Sequence, residues 1–520
     1  MSGPRVDLDT LAGRSFDAAV IGAGVNGAST AQHLAAQGYD VLLVDKGDFA
    51  SGSSSRSSRL LHCGLRYLAP GSSMWEFVRH PTRLKTALRM ARQAMQSRTQ
   101  FVATTPQRLR ALTFAFPFYE DSPYAAWQID LAFRILWGLG GGTVPLDYKR
   151  LSARQAMATP LLESLRDGDA LRGVAMFREY QFDWPERIVV DTVLDAERLG
   201  ATVRNYTPVE QLERHGEGWR LTLGDAIDES TEPVTVEAAL VFNMAGIWID
   251  RVGGSIATAN PGRRITGTKG SHIVVRLPPE CADYGIVTLN RENAPFYCVP
   301  WRGLHYFGPT ETLYDGDPDD IRPSEEEFAF LLDEANYLLP GLGLKRADVL
   351  FGWSGVRPLT YDPNLPMGAR SRELHDFANE GLPNLFAMTA GPVMTHRSAG
   401  AEAARAASTH IKPRRPAAEP SYGATAIPSD PDSPRLLNHD PAVRIADVRR
   451  GVREEHACTL VDVMFRRTGA GWSQTMGREG ALVAAQIVGK ELGWSPERVE
   501  KEAQDYVAFL ERQYSLSRSD

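Results

Sequence analysis

The sequence predicts an α/β protein in three parts: a doubly wound parallel sheet, an α+β domain built on a mixed sheet, and a helical C-terminal domain. A strand–helix–strand pattern with a glycine-rich turn lies between residues 16 and 44. Strand-like runs between residues 271 and 307 predict the second sheet. Beyond a proline-rich stretch, residues 442–516 carry helical patterns. A chain of 520 residues is also too long for one compact core.

Composition and charge favour a globular protein that does not bind nucleic acid. Hydrophobic residues make up 43% and charged residues 23% of the chain, which is ordinary for a globular domain. The net charge of −7 and the isoelectric point near 6.0 argue against the basic face of a nucleic-acid binder. The four cysteines have no metal-ligand spacing, which predicts free thiols in a reducing compartment and no metal site.

The expected location is the cytoplasm, with one alternative left open. Met1–Thr10 has no positive segment followed by an apolar run, so no secretory signal is expected. Ile129–Gly140, interrupted by Arg134, is too short to span a membrane. Trp75–Met95, however, carries basic residues among apolar ones at helical spacing, as in helices that lie on anionic bilayers. A solvated helix face explains the same pattern, so peripheral attachment to the inner face of the cytoplasmic membrane stays an alternative.

The first element of the fold is a βαβ unit. Phe16–Ile21 is a short, β-rich apolar run, Ser29–Gln37 has a helical pattern, and Asp40–Val44 is a second buried strand. Between strand and helix lies the motif Gly-x-Gly-x-x-Gly, which is typical of a Rossmann-like dinucleotide-binding domain.

The glycines and the acid of this unit each have a physical role. Gly22 permits the tight turn, Gly24 lets the backbone approach a pyrophosphate, and Gly27 lets helix and strand pack closely. The helix N-terminus adds partial positive charge for the phosphates. Asp45 follows the second strand, about twenty residues on, where a carboxylate accepts hydrogen bonds from ribose hydroxyls.

The nucleotide is expected to be FAD. The glycines at 138–142 and 341–343 do not follow a strand, so we expect no second, nicotinamide-binding site. An enzyme with one dinucleotide site at its N-terminus takes electrons from its own substrate into a flavin. The run 47–68 has many small hydroxyl residues, then an apolar stretch, then Arg-Tyr. It suits a loop that binds phosphate and passes along the flavin ring, although a serine-rich surface loop explains it equally well.

The remaining elements are both helices and strands. Helical patterns are Trp75–Gln100, Ala125–Trp137, Ile188–Leu199, Ser398–Ser408, Gly480–Leu492 and Pro496–Tyr514. Strand patterns are Ala201–Tyr206, Trp219–Leu223, Ala239–Phe242, Ser271–Arg276, Phe296–Val299 and Leu304–Phe307. We expect a discontinuous FAD-binding domain (17–75, 183–265 and 350–410), a substrate domain (76–182 and 266–349), a linker rich in proline (411–437) and a helical C-terminal domain (438–520).

Several runs of the sequence together resemble one family. The stretch from Asp48 to Leu68, DFASGSSSRSSRLLHCGLRYL, closely resembles the loop signature of the FAD-dependent glycerol-3-phosphate dehydrogenases. Further matching runs are Lys269–Val275, Val299–Trp301, Gly308–Thr310, Ser354–Leu359 and Cys458–Thr468. The resemblance covers nearly the whole chain in the same order.

The resemblance implies a flavoprotein that oxidises sn-glycerol 3-phosphate to dihydroxyacetone phosphate. Hydride would pass from C2 to flavin N5, and the electrons then to a quinone-type acceptor. By residue matching, His272 would take the alcohol proton, and Arg66 and Tyr67 would lie beside flavin and substrate. Arg357 and Arg370 would bind the phosphate, for which guanidinium groups suit well, although Arg372 is an alternative to Arg370.

The resemblance also implies which residues contact FAD. They belong to the glycine turn, the hydroxyl-rich loop and two later segments around residues 246 and 391. The expected cofactor-binding residues are Gly22, Gly24, Gly27, Asp45, Ser53, Ser54, Ser55, Ser57, Gly246, Gly391, Val393 and Met394.

Three departures from the family pattern bear on the substrate and the flavin. Pro392 replaces a lysine that brings positive charge to the family's active site, so the exact substrate is open. The run Asn243–Trp248 differs from the usual Asn-Ala-Thr-Gly-Pro-Trp. Cys63 replaces a glycine near the expected flavin, where a spectator thiol is favoured over a flavin–thiol link.

Two other functions stay open beside the leading hypothesis. One is an FAD-dependent dehydrogenase of another polyol phosphate or related hydroxylated substrate. The other is a catalytically weak flavoprotein that acts as a binding partner, against which retention of Arg66, His272 and Arg357 argues. The sequence leaves the electron acceptor and a homodimeric state undecided.

Overall fold

The computed structural model describes residues 5–68, 77, 79–122, 124–257, 261–425, 430–439 and 441–515. The side chain of Arg66 and the residue Trp75, both named in the sequence analysis, lie outside this described part.

The strands divide between two sheets, as the sequence predicts. They are β1 (Ser15–Ile21), β2 (Val41–Val44), β3 (Leu60–Leu61), β4 (Leu109–Tyr119), β5 (Lys149–Leu151), β6 (Leu171–Phe182), β7 (Thr202–Arg204), β8 (Val209–His215), β9 (Gly218–Leu223), β10 (Val234–Asn243), β11 (Ile265–Val275), β12 (Tyr284–Leu289), β13 (Pro295–Trp301), β14 (Leu304–Gly308), β15 (Thr312–Leu313), β16 (Val349–Thr360), β17 (Glu373–Asp376) and β18 (Leu385–Thr389).

The α-helices of the described residues lie around both sheets and form most of the C-terminal part. They are α1 (Val25–Ala36), α2 (Leu65–Leu68), α3 (Pro81–Thr104), α4 (Ala126–Leu139), α5 (Ala153–Ala156), α6 (Pro185–Arg198), α7 (Ile249–Gly254), α8 (Glu325–Leu338), α9 (His396–Ser408), α10 (Ile445–Arg453), α11 (Ala481–Leu492) and α12 (Pro496–Tyr514).

The first sheet is the predicted doubly wound sheet. Its order is β17-β18-β10-β1-β2-β7, and the pairs from β18 to β7 are parallel. The hairpin β8–β9 extends it antiparallel to β10. Helices α1, α6 and α9 cover one face with small and branched apolar side chains, and a second apolar layer covers the other. A parallel sheet buried on both faces explains why β2 is apolar throughout and why β1 is buried from Phe16 to Ile21.

The second sheet is mixed and forms one wall of the site described below. Its order is β15-β11-β14-β13-β12-β4-β6-β3, with β16 beside β11 and β5 beside β6. Only β12 and β4 run parallel among these described pairs. The long β11–β16 pairing sets His272 opposite Trp353 and Thr268 opposite Arg357.

The C-terminal domain packs on the nucleotide-binding part through buried charge. A π-helical turn, Asp462–Arg467, directs two guanidinium groups at Asp48, which follows the Asp45 strand end closely. Burial alone would raise the pKa of Asp48, but the charges of Arg467 and Arg466 outweigh it and lower the pKa. Removing one member of such a buried group leaves an uncompensated charge, so this junction is sensitive to substitution.

The proline-rich segment after α9 follows the surface of the first sheet's domain. Arg415 donates its backbone N–H to the Gly38 carbonyl at 3.0 Å and its guanidinium to the Tyr39 carbonyl at 2.6 Å. Ala418 donates its N–H to the Ala36 carbonyl at 2.7 Å. These bonds tie the segment to the end of α1. Of the helices that the structure describes, none is long and apolar enough to cross a membrane.

Candidate active site

A cavity of about 750 Å³ lies between the two sheets, at the edge where the glycine turn ends β1. Cavities for small ligands commonly measure about 300–1,000 Å³. Most of the predicted site residues line it: Gly22, Gly24, Asp45, Ser53, Ser54, Ser57, Tyr67, Gly246, His272, Arg357, Arg370, Gly391, Val393 and Met394. Gly27 and Ser55 are not among the residues that line the cavity.

The glycine turn has the geometry that its spacing predicts. Gly22 has a φ of +100°, which favours glycine, and a Cβ there would lie 2.8 Å from the Met244 carbonyl oxygen. A Cβ on Gly27 would lie 1.8 Å from the Gly22 carbonyl oxygen, so α1 packs directly on the turn. Gly24 differs, because its Cβ would meet only the Ser54 hydroxyl, at 3.4 Å. Space at Gly24 therefore opens to the cavity.

Asp45 is held as a hydrogen-bond acceptor at the end of β2. Its carboxylate accepts N–H groups from Ala23 at 2.6 Å and from Gly47 at 2.9 Å. Burial raises its pKa to about 6, despite these two bonds. The group is thus a carboxylate at neutral pH and is close to titrating in mildly acidic solution.

The hydroxyl-rich loop is tied down mainly by its own serines. Ser54 accepts the N–H of Val25, the first residue of α1, at 3.0 Å. Ser53 donates to the Val356 carbonyl at 2.6 Å, and Ser55 to the Gly52 carbonyl at 2.9 Å. Ser57 accepts the N–H of Arg59 at 3.2 Å. These bonds fix the loop between α1 and β16 and leave Ser53, Ser54 and Ser57 at the cavity wall.

His272 lies deep in the opposite wall, in the middle of β11. Its ring stacks on Trp353, with ring centres 4.6 Å apart, and its Nε2 lies 3.0 Å from the Ser58 hydroxyl. Among the described residues its Nδ1 has no hydrogen-bond partner. Burial, then the charges of Arg357 and Arg59, lower its pKa well below the usual value. The imidazole is therefore neutral at neutral pH.

An arginine that the sequence analysis did not select lies behind His272. The Arg59 guanidinium stacks 4.4 Å from the Trp301 ring centre and 4.2 Å from that of Trp472. It also pairs with Glu186 at 3.3 Å. This buried cation belongs to the SSSRSSR run, but only the long-range packing of three elements shows that it faces the aromatic cluster.

Arg357 and Arg370 come together at the far end of the cavity around one carboxylate. Arg370 Nη2 donates to Glu311 Oε1, and Arg357 Nη1 lies 4.0 Å from the same oxygen. A Cβ on Gly270 would lie 2.7 Å from Arg357 Nη2, so the guanidinium lies directly against this glycine. Arg372 instead pairs with Glu402 at 2.7 Å and does not line the cavity. Of the two candidates, Arg370 is the one that lines the cavity.

The segment with the lysine-to-proline departure closes the cavity. Pro392 lines it and precedes a short 3₁₀ turn, Val393–Thr395, that leads into α9. Asn26 donates its side-chain amide to the Ala390 carbonyl at 3.1 Å, which joins this segment to α1. The amide groups at the start of α9 give partial positive charge, while residue 392 itself supplies none.

Three further residues that line the cavity were not predicted as site residues from the sequence, although each lies in or next to a run that resembles the family. His62 lines the cavity, with its ring 5.6 Å from that of Tyr67, as do Ser58 and Glu311. Cys63, in contrast, is buried beside Glu179 and is not among the lining residues. All four cysteines are free and buried. Among the described residues, no group of His, Cys, Asp and Glu could hold a metal ion.

Comparison with known proteins gives two family matches. The family model described as FAD-dependent oxidoreductase matches residues 17–406, and the model for the C-terminal domain of α-glycerophosphate oxidase matches residues 422–499.

Individual relatives agree with these matches. A glycerol-3-phosphate dehydrogenase of Synechocystis is 30% identical over 96% of this chain and 97% of its own. A D-erythritol 1-phosphate dehydrogenase of Brucella abortus is 31% identical over 73% of this chain and 71% of its own. In fold, the chain is similar to the glycerol-3-phosphate dehydrogenase of Bacillus halodurans complexed with FAD, with a TM-score of 0.71 and 19% identity over 97% of this chain and 96% of that one. It is also similar to the L-α-glycerophosphate oxidase of Mycoplasma pneumoniae, with a TM-score of 0.60 and 14% identity over 80% and 100%.

Proposed function

The chain belongs to the FAD-dependent glycerol-3-phosphate dehydrogenase and oxidase family, and we propose that it oxidises sn-glycerol 3-phosphate to dihydroxyacetone phosphate. The observation that carries the proposal is the content of one cavity. The glycine turn and Asp45 form one end of it, and His272, Arg357 and Arg370 line the other. A nucleotide site, together with an anion site that has an imidazole beside it, fits a flavoenzyme that acts on a phosphorylated alcohol.

FAD is the cofactor, and the residues present fit it. The space above Gly24 and the N-terminus of α1 suit the pyrophosphate, and Asp45 suits the ribose hydroxyls. When bound, FAD would supply a two-electron acceptor for the hydride that leaves C2 of the substrate. The serines that fix the hydroxyl-rich loop keep this part of the wall in place before the cofactor binds.

We assign Arg357 and Arg370 to the substrate phosphate. Two guanidinium groups can donate several charge-assisted hydrogen bonds to one phosphate. Both side chains are partly exposed to the cavity and belong to different segments, so they can approach a bound anion from two sides. From the family resemblance we also expect Arg66 and Tyr67 beside flavin and substrate, and Tyr67 lines the cavity.

We assign His272 as the base that takes the alcohol proton while hydride leaves C2. With the buried Nδ1 carrying the ring proton, the Nε2 lone pair, which lies 3.0 Å from the cavity-lining Ser58 hydroxyl, can accept the alcohol proton. A phosphate on Arg357 would offset one of the two cations that lower the pKa of His272, so substrate binding would make it a better base. His62 is the second imidazole at the cavity. His272→Asn should lower kcat at least about a hundredfold. A larger loss of kcat in His62→Asn would instead assign the role of base to His62.

A second candidate substrate is a longer polyol phosphate. Pro392 favours it, because the cavity lacks the family's lysine at that position, and one relative bears the name D-erythritol 1-phosphate dehydrogenase. The two substrates can be compared by kcat/KM with an artificial electron acceptor. A higher kcat/KM for sn-glycerol 3-phosphate supports the proposal. A higher value for D-erythritol 1-phosphate would replace it.

We also propose a quinone-type acceptor reached from the membrane surface. On α4, Trp127, Leu131 and Trp137 are 63%, 42% and 44% exposed, which is unusual for large apolar side chains on one helix. Neighbouring α3 has no acidic residue and exposes several basic ones: Arg83, Lys85, Arg89 and Arg92. Exposed tryptophans beside basic side chains suit the interface of an anionic bilayer.

A further inference from the structure

Glu311 occupies a fixed position beside the proposed substrate. It follows Thr310, whose N–H bonds the Ser271 carbonyl at 3.1 Å and whose hydroxyl accepts the Ser271 N–H at 2.8 Å. Ser271 immediately precedes His272 on β11. The backbone at Glu311 is therefore held next to the active-site strand, and its side chain, 19% exposed, lines the cavity.

One oxygen of Glu311 contacts both arginines assigned to the phosphate. Oε1 accepts a hydrogen bond from Arg370 Nη2 and lies 4.0 Å from Arg357 Nη1. An oxygen between two guanidinium groups has the position and charge that a phosphate oxygen would take there. Position 392, which also lines this cavity, has no cationic side chain to compensate.

We propose that Glu311 is a built-in counter-anion, which competes with the substrate phosphate for Arg357 and Arg370 and thereby sets the affinity of the site for phosphate monoesters. The proposal rests on the assignment of those arginines to the phosphate. The three side chains carry a net formal charge of +1, whereas a phosphate monoester carries about −1.5 to −2 at pH 7. A phosphate that binds here must displace the carboxylate or be repelled by it, and the same repulsion favours release of a phosphorylated product.

The alternative is a purely structural role, in which Glu311 aligns the arginines for the phosphate. The two roles differ in sign. Removing a competitor tightens phosphate binding, whereas removing a support weakens it.

Calorimetric titration of the FAD-loaded enzyme with inorganic phosphate separates the two roles. We expect Glu311→Gln to lower the Kd for phosphate at least about tenfold, equivalent to about 1.4 kcal/mol. Glu325→Gln is the matched control, because Glu325 pairs with Arg346 at 2.8 Å outside the cavity. It should leave the Kd unchanged. An unchanged or raised Kd in Glu311→Gln would overturn the proposal.

Two further variants test the charge of Glu311 and the phosphate site separately. Glu311→Asp keeps the charge but withdraws it by one methylene group, so it should tighten phosphate binding by a smaller factor, about threefold. Glu311→Asp also replaces Glu311→Gln in the titration if the latter does not retain FAD. Weaker phosphate binding in Glu311→Asp would contradict the proposal. Arg357→Ala should weaken phosphate binding. Unchanged binding there would overturn the phosphate site itself, a failure distinguishable from that of Glu311 alone.

Discussion

Gly24 and Gly27 belong to one motif but have different surroundings, so matched alanine variants should fail in different ways. A Cβ on Gly27 would lie 1.8 Å from the Gly22 carbonyl oxygen and 3.1 Å from the Met244 Cβ. Because the main-chain oxygen cannot rotate away, α1 would have to withdraw by about 1 Å in a close-packed core.

The energetic signs are opposed at Gly27. Alanine is favoured over glycine inside a helix by about 1 kcal/mol, whereas overpacking a core costs about 1–3 kcal/mol and occasionally more. Because the added Cβ overlaps a main-chain atom, we expect the overpacking cost of Gly27→Ala to lie at the upper end of that range. We expect a net loss of about 2 kcal/mol or more in the free energy of unfolding.

Gly24→Ala should fold normally and lose cofactor. Gly24 has an extended backbone with a φ of −72°, which alanine adopts freely, and its Cβ would meet the Ser54 hydroxyl at an ordinary 3.4 Å. The added methyl group would instead occupy the space expected for the pyrophosphate. We expect the apo-protein melting temperature to be unchanged and the Kd for FAD to rise at least about tenfold. The bulkier Gly24→Val should purify without yellow colour.

The assays are thermal unfolding of the apo-proteins and FAD titration by flavin fluorescence. A Gly27→Ala protein with wild-type melting temperature would refute the close helix–turn packing. A Gly24→Ala protein with wild-type FAD affinity would refute the placement of the pyrophosphate.

Three further changes test other parts of the site. Arg357→Ala should raise KM for a phosphorylated substrate at least about tenfold in steady-state kinetics, and an unchanged KM would remove it from the phosphate site. Ribose hydroxyls favour the ionised form of Asp45, whose pKa is about 6, so the affinity for FAD should rise as the pH increases through 6. Asp45→Asn should abolish this pH dependence. If the dependence persists in that variant, Asp45 is not its source. Replacing Trp127 and Trp137 with serine should reduce the fraction of the protein that sediments with anionic vesicles. Sedimentation equal to that of the wild-type protein would exclude this face of α4 as a membrane-binding surface.

Local patterns predicted the nucleotide-binding unit well. Strand, turn, helix and acid lie within about thirty residues in sequence, and each carries its own signal in apolar periodicity or glycine spacing. The helix begins at Val25 rather than Ser29 because the turn's last glycine is already inside it. Likewise α3 begins, in the described chain, at Pro81, a residue favoured in a first helical turn.

Long-range pairing was not predictable in the same way. The antiparallel strands β4 and β6 pair across about sixty residues, and neither was assigned from sequence, although both are long. The anion site was only partly foreseen: Arg357 matched a motif, whereas Glu311 lies just past one. Arg59 was overlooked because its aromatic partners come from β13 and the C-terminal domain.

The proline-rich segment shows another limit of composition. The described residues of this segment form no helix or strand. Its composition does not indicate the hydrogen bonds by which Arg415 and Ala418 attach to the end of α1. Those bonds use main-chain groups, which leave no signature in the side chains.

The central claim is that one cavity holds FAD beside an sn-glycerol 3-phosphate site. Its most direct test is anaerobic mixing of the purified, FAD-loaded protein with sn-glycerol 3-phosphate while the visible absorbance of the flavin is followed. We expect rapid bleaching, with one equivalent of dihydroxyacetone phosphate formed per flavin. A flavin that dithionite reduces but sn-glycerol 3-phosphate does not would contradict the claim.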